Sequence, residues 1–118
     1  MKPSYKSDKK RLLQIRESFI EYYGKDICYY CGADISNTSD ENYTVDHYIP
    51  KALGGSDEWD NLRPACYGCN SSKNSYLCSE WALRIQVKYN KNMEAIKRQR
   101  KLLNRVKKLG ELEQNKTI

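Results

Sequence analysis

The sequence predicts a small α+β domain folded around a metal. Two Cys-x-x-Cys pairs, Cys28-Tyr29-Tyr30-Cys31 and Cys66-Tyr67-Gly68-Cys69, have the spacing of a four-thiolate zinc site. Between them lie two short β-type runs joined by a glycine-containing loop. On either side, apolar residues recur at helical intervals. The chain has 118 residues, so one domain with extensions is expected, and a core of that size is marginal by burial alone. The mean hydropathy of -0.89 points the same way. A structural zinc contributes folding free energy on the order of 10 kcal/mol, enough to decide whether such a domain folds.

The elements follow in chain order. Leu12, Ile15, Phe19 and Tyr22/Tyr23 mark an amphipathic helix over about residues 7–23. Ser7 or Asp8 can cap its start and Gly24 can stop it. The first cysteine knuckle covers residues 27–32, and the polar stretch 33–42 reads as an exposed loop. Tyr43-Thr44-Val45 is a short strand leading into Asp46-His47. Residues 53–60 form a loop, and Asn61-Leu62-Arg63 returns as a second strand whose pairing Pro64 is expected to end. The second knuckle delivers Asn70 to the start of a helix over about residues 70–76. Another helix begins at Ser79 or Glu80 and carries Trp81, Ile85 and Tyr89. After a break near Asn90-Lys91-Asn92, residues 93–109 are helical, with Ile96, Leu103 and Val106 on one stripe. That stripe can face the core or a second copy of the chain. The tail from Gly110 is expected to fray. The resulting division is an N-terminal helical flank (1–26), a core with the knuckles (27–76) and a basic helical extension (77–118).

Charge bounds the partner. The formal net charge is +6 and the isoelectric point about 9.0, which favours a polyanion. The positive charge is concentrated. Lys91, Lys97, Arg98, Arg100, Lys101, Arg105, Lys107 and Lys108 face one acid, Glu94, and a second basic run is Lys9-Lys10-Arg11. DNA is the expected partner of the C-terminal stripe, through Arg98, Lys101 and Arg105. No apolar run resembles a secretory leader or a membrane span. Five cysteines, four of them in tight pairs, suit zinc thiolates in a reducing cytoplasm better than a disulfide framework. Cys78 is left over and reads as a buried thiol.

The segment between the knuckles holds the single histidine. Asp46 supplies a hard anionic oxygen and Asn70 a neutral amide oxygen, a pair suited to Mg²⁺ or Mn²⁺ and poorly suited to zinc. His47 has an intrinsic pKa of about 6.5 and can take a proton from an attacking water. Strand alternation points Asp46 and His47 to opposite faces, one to a cation and one to the water. Asn61 can hold the His47 loop through its side chain. Lys73, one helical turn beyond Asn70, and Arg63 can meet phosphate oxygens.

The ordered string Asp46-His47-x-x-Pro50, Gly54-Gly55, Asn61-Leu62 and Cys66-x-x-Cys69-Asn70-x-x-Lys73 resembles the HNH endonucleases in their zinc-stapled four-cysteine form. The resemblance covers about residues 27–75. It implies a ββα-metal core, with His47 as general base and Asp46 and Asn70 as ligands of the catalytic cation. Asn61 is then the middle residue of the signature. Many members carry His at the last position, where this chain has Asn70. The activity implied is hydrolysis of phosphodiester bonds in double-stranded DNA, one strand nicked per active site. The alternative is a catalytically silent zinc-stapled module that binds nucleic acid or inhibits a partner. The joint presence of Asp46, His47, Asn61 and Asn70 favours the enzyme.

Overall fold

The computed structural model describes residues 9–37, 42–90 and 92–116. Helix α1 (Lys9–Tyr23) precedes an antiparallel hairpin of β1 (Tyr43–His47) and β2 (Leu62–Cys66). Helix α2 (Tyr67–Lys73) follows β2 directly, then α3 (Cys78–Tyr89) and α4 (Met93–Lys116). The hairpin connection holds two 3-10 turns, Lys51–Leu53 and Trp59–Asn61. A mixed α+β domain with a cysteine cluster is the observed architecture. None of the described helices is long and apolar enough to cross a membrane.

Helix α1 ends where Gly24, at φ 77°, adopts the left-handed conformation and its N–H bonds back to Ile20 O at 2.8 Å. The proposed caps Ser7 and Asp8 lie outside the described residues. Arg16 fastens α1 to the first knuckle. Its guanidinium pairs with Asp26 Oδ2 at 2.8 Å, donates to Ile35 O at 2.8 Å and covers the Tyr43 ring at 4.4 Å. Phe19 is buried by stacking on Trp59, with centroids 4.6 Å apart.

Three element boundaries differ from expectation. First, β2 does not stop at Pro64, which pairs with Val45 in mid-strand. Pro64 O accepts from Tyr29 N at 2.8 Å, so its backbone polar side faces the knuckle. The N–H that proline lacks would point the same way, and no ladder bond is lost. Second, α2 begins three residues before Asn70. Cys66 is its N-cap, with Sγ accepting from Cys69 N at 3.4 Å, and Asn70 sits in the middle of the helix. Third, α4 does not fray at Gly110 but runs to Lys116. A Cβ on Gly110 would stand 2.8 Å from Ser79 Cα, so glycine lets α4 cross tightly over the start of α3. One turn on, Glu113 Oε1 accepts from Cys78 N at 3.3 Å and satisfies a first-turn donor of α3.

The core is one cluster in which Cys28, Tyr30 and Cys69 pack with Cys78, Trp81, Ile85, Leu103 and Val106. Leu103 and Val106 therefore face the core, while Ile96 is half-buried. Trp81 meets Tyr30 edge-on at 5.3 Å and donates Nε1–H to Ser72 Oγ at 2.9 Å, which locks α3 to α2.

Candidate functional site

The four paired cysteines converge. The Sγ atoms of Cys28, Cys31, Cys66 and Cys69 lie within 4.8 Å of one another, and Cys31 Sγ is 4.0 Å from Cys66 Sγ. A tetrahedral zinc with Zn–S of about 2.3 Å needs S–S edges of about 3.8 Å, close to what is found. Local backbone geometry makes this possible. Cys28 N bonds to Ala33 O at 2.9 Å, and Gly32, at φ 77°, turns the chain so that its N–H reaches Cys28 O at 3.0 Å. Ala33 N donates to Cys31 Sγ at 3.5 Å, as Cys69 N does to Cys66 Sγ at 3.4 Å. Such N–H···S contacts favour thiolates. The thiols also share protons. Hydrogen bonds from Cys31 and Cys69 pull Cys28 far down, and the same bonds, with burial and the Cys28 charge behind them, push Cys31 up to about 11 and Cys69 further. Like charges resist full ionisation until a cation joins them, so this donor set fits zinc.

Arg105 reaches this centre from α4. Its Nε donates to Tyr30 O at 2.6 Å and its Nη2 to Tyr29 O at 3.2 Å, both carbonyls inside the first Cys-x-x-Cys loop. It was expected to face DNA. Two of its donor positions instead hold the knuckle.

The second centre lies where α2 packs on β1. Thr44 and Asp46 are two apart on the strand and Asn70 and Lys73 three apart on the helix, so the two repeats match. Asn70 Nδ2 donates to Thr44 Oγ1 at 2.9 Å, and Thr44 Oγ1 donates to Ala65 O at 2.7 Å. With its amide nitrogen held there, the Asn70 carbonyl oxygen is the end turned away, available as a ligand. Asp46 is 5% exposed. Its Oδ2 accepts from the Tyr30 hydroxyl and pairs with Lys73 Nζ at 3.1 Å. Burial, then the Asp46 charge, push Tyr30 well up, so the phenol stays the donor.

Lys73, expected to meet a phosphate, has no exposed surface. Its ammonium carries three donors, and three acceptors surround it: Asp46 Oδ2 at 3.1 Å, Tyr48 O at 3.1 Å and His47 O at 3.2 Å. A phosphate would have to displace one of them. Arg63 is likewise engaged, with Nη1 on Asp60 O at 2.7 Å and its guanidinium over the Tyr29 and Tyr48 rings. Arg98 and Lys101 are exposed on α4.

His47 ends β1 and its side chain is 13% exposed. Nε2 meets Asp57 Oδ1 at 2.7 Å, while Lys51 Nζ holds the other Asp57 oxygen at 2.7 Å. Lys51 first and His47 second keep the Asp57 carboxyl below its usual range. Asp57 was not singled out from the sequence. The available signal was an acid just past Gly54-Gly55, where the chain doubles back. Gly54 takes φ 92°, and a Cβ on Gly55 would stand 1.7 Å from Ile49 O. Asn61 completes the loop. Its Oδ1 accepts from Ile49 N at 2.8 Å, and its Nδ2 donates to Ile49 O at 3.0 Å and Ser56 O at 2.8 Å. Every hydrogen-bonding function of that amide bridges the two arms of the loop that presents His47.

Residues 28–75 match the family model of the HNH endonucleases. The matched segment is similar to the domain of that family. No curated protein matches the chain. The match starts at the first zinc-type cysteine and ends just past α2, so the four-cysteine cluster, the hairpin and α2 all lie within it. Helix α1 and the α3–α4 pair lie outside the matched residues.

Proposed function

We propose that the chain is a metal-dependent DNA endonuclease in which His47 is the general base. The observation that carries this is the Asp57–His47 contact of 2.7 Å on a loop braced by Asn61. With Nε2–H donated to the Asp57 carboxylate, the imidazole lone pair is on Nδ1. That atom takes a proton from the attacking water, and Asp57 stabilises the imidazolium that results. Asp46 and the Asn70 carbonyl would hold a Mg²⁺ or Mn²⁺ ion, which supplies charge neutralisation at the phosphate and the leaving oxygen. Asp46 offers itself by sharing its carboxylate with Lys73, which keeps that side chain in place. Duplex DNA is the proposed substrate, held through the exposed cations of α4, with one strand nicked per domain.

A second reading, a zinc-stapled binding module without chemistry, is favoured by one observation: Lys73 and Tyr30 already satisfy Asp46 Oδ2. Supercoiled plasmid separates the two. The zinc-loaded wild type should nick with Mg²⁺ or Mn²⁺ and stop when EDTA removes the added ion. His47→Ala should be at least ~100-fold slower, the usual scale for a positioned base. Tight DNA binding by a wild type that never nicks selects the silent module.

A further inference from the structure

A cleft of about 460 Å³ opens beside the zinc centre, outside the His47 loop. Tyr23 from the end of α1, Tyr29 from the first knuckle and Pro64 from β2 form one side. Arg105, Lys108 and Leu112 from α4 form the other. The volume lies within the range of small-ligand sites. The Tyr23 and Tyr29 ring centroids are 6.1 Å apart, with the planes tilted by 57°, so the apolar side presents two aromatic surfaces. The opposite side is cationic. Arg98, Lys101, Arg105 and Lys108 are spaced three, four and three residues apart, which puts them on one face of α4. That stripe runs to the mouth of the cleft, and Leu112 continues it inward. Among the described residues, Arg98, Lys101 and Lys108 have no ionic or hydrogen-bonded partner. Pro64 pairs with Val45, two residues before His47 on β1, so one wall of the cleft belongs to the same hairpin as the proposed base.

We propose that this cleft binds one unpaired nucleotide of the nucleic-acid substrate, and the proposal rests on the endonuclease reading above. The base lies against the tyrosine rings and Leu112. Its phosphate meets Lys108, and neighbouring phosphates follow Lys101 and Arg98. Charge complementarity with the stripe selects a polyanion, and the aromatic side selects a ligand with an exposed π-face. A paired base has both faces covered by its neighbours, so only an extruded base or a single-stranded end offers one.

The test uses the full-length, zinc-loaded His47→Ala protein, which does not cleave its probe. Affinity is measured for a duplex with a short single-stranded overhang and for the same duplex whose overhang is abasic, so that phosphate number is constant. The natural overhang should bind about tenfold tighter, the scale of one base stacked on aromatic side chains. Leu112→Trp, which puts a bulkier side chain where the base would lie, and Tyr23→Leu, which removes one ring, should each abolish that difference and leave the abasic probe unchanged. Equal affinity for the two probes, with plasmid nicking by the wild type intact, overturns this inference alone. A wild type that neither binds these probes nor nicks plasmid overturns the endonuclease reading with it. A preference for the natural overhang that survives in both variants overturns the assignment to this cleft and leaves the endonuclease reading standing. Conversion of a dimer to a monomer by Leu112→Trp in sedimentation would make the cleft an interface between copies and overturn the nucleotide assignment.

Discussion

Lys73 and Asp46 form a buried ion pair whose remaining lysine donors end on the carbonyls of His47 and Tyr48. One side chain thus positions the Asp46 carboxylate and the backbone carbonyls of the proposed base and the residue after it. Removing one partner of such a pair leaves an uncompensated buried charge. Lys73→Met should therefore destabilise the fold by about 3–5 kcal/mol, read from chemical denaturation of the zinc-loaded protein. Asp57 acts differently because it lies at the surface and touches His47 without supporting the core. Asp57→Asn should leave zinc content and melting temperature unchanged and slow nicking about tenfold or more, the scale of lost support for a site residue. Asp57→Glu should recover part of the rate. A nicking rate unaffected by Asp57→Asn would remove the contact from the mechanism.

Among the elements, α4 is the one whose role changes most on folding. Its basic residues divide into two groups. Arg105 grips the carbonyls of Tyr29 and Tyr30 and so braces the knuckle that carries Cys28 and Cys31. Arg105→Ala should weaken zinc retention against a chelator even though no metal ligand is altered. Arg98 and Lys101 point to solvent. Each phosphate neutralised contributes roughly 0.9 to the slope of log affinity against log salt on duplex DNA. The pair Arg98→Glu and Lys101→Glu should flatten that slope by up to ~2 units with zinc retained. A slope equal to that of the wild type would place DNA elsewhere on the surface. The crossing of α4 over α3 depends on Gly110, where a Cβ would meet Ser79 backbone at 2.8 Å. Gly110→Ala should cost about 1–3 kcal/mol of stability through overpacking, despite the better helix propensity of alanine.

For the whole molecule, one hydrophobic cluster joins the knuckles to α3 and α4, and the zinc-type cysteines Cys28 and Cys69 are part of it. The cysteine cluster and the core therefore pack as one unit. Cys66→Ser should lose both zinc and most of the tertiary structure, since Cys66 also caps α2. Elemental analysis together with near-ultraviolet circular dichroism would check this. A metal-free wild type with full tertiary structure would sink the idea.

The sequence by itself determined the four-cysteine cluster, the order of the elements and the α+β class. Those features are encoded locally. A Cys-x-x-Cys pair closes within four residues, a strand shows its period within five and a helix within two turns. The tertiary structure alone decided which charges are available. Lys73 and Arg105 read as surface cations because the acceptors that hold them are distant in sequence, at separations of 25–26 and 75–76 residues. Asp57 found His47 across ten residues only because Gly54 and Gly55 let the loop fold tightly onto Ile49. Gly110 read as a helix stop because glycine is a poor helix former, whereas packing against Ser79 makes its missing side chain a requirement. Propensity and motif spacing act along the chain. Partner choice depends on which surfaces meet in space, and that is settled only when the helices close over the hairpin.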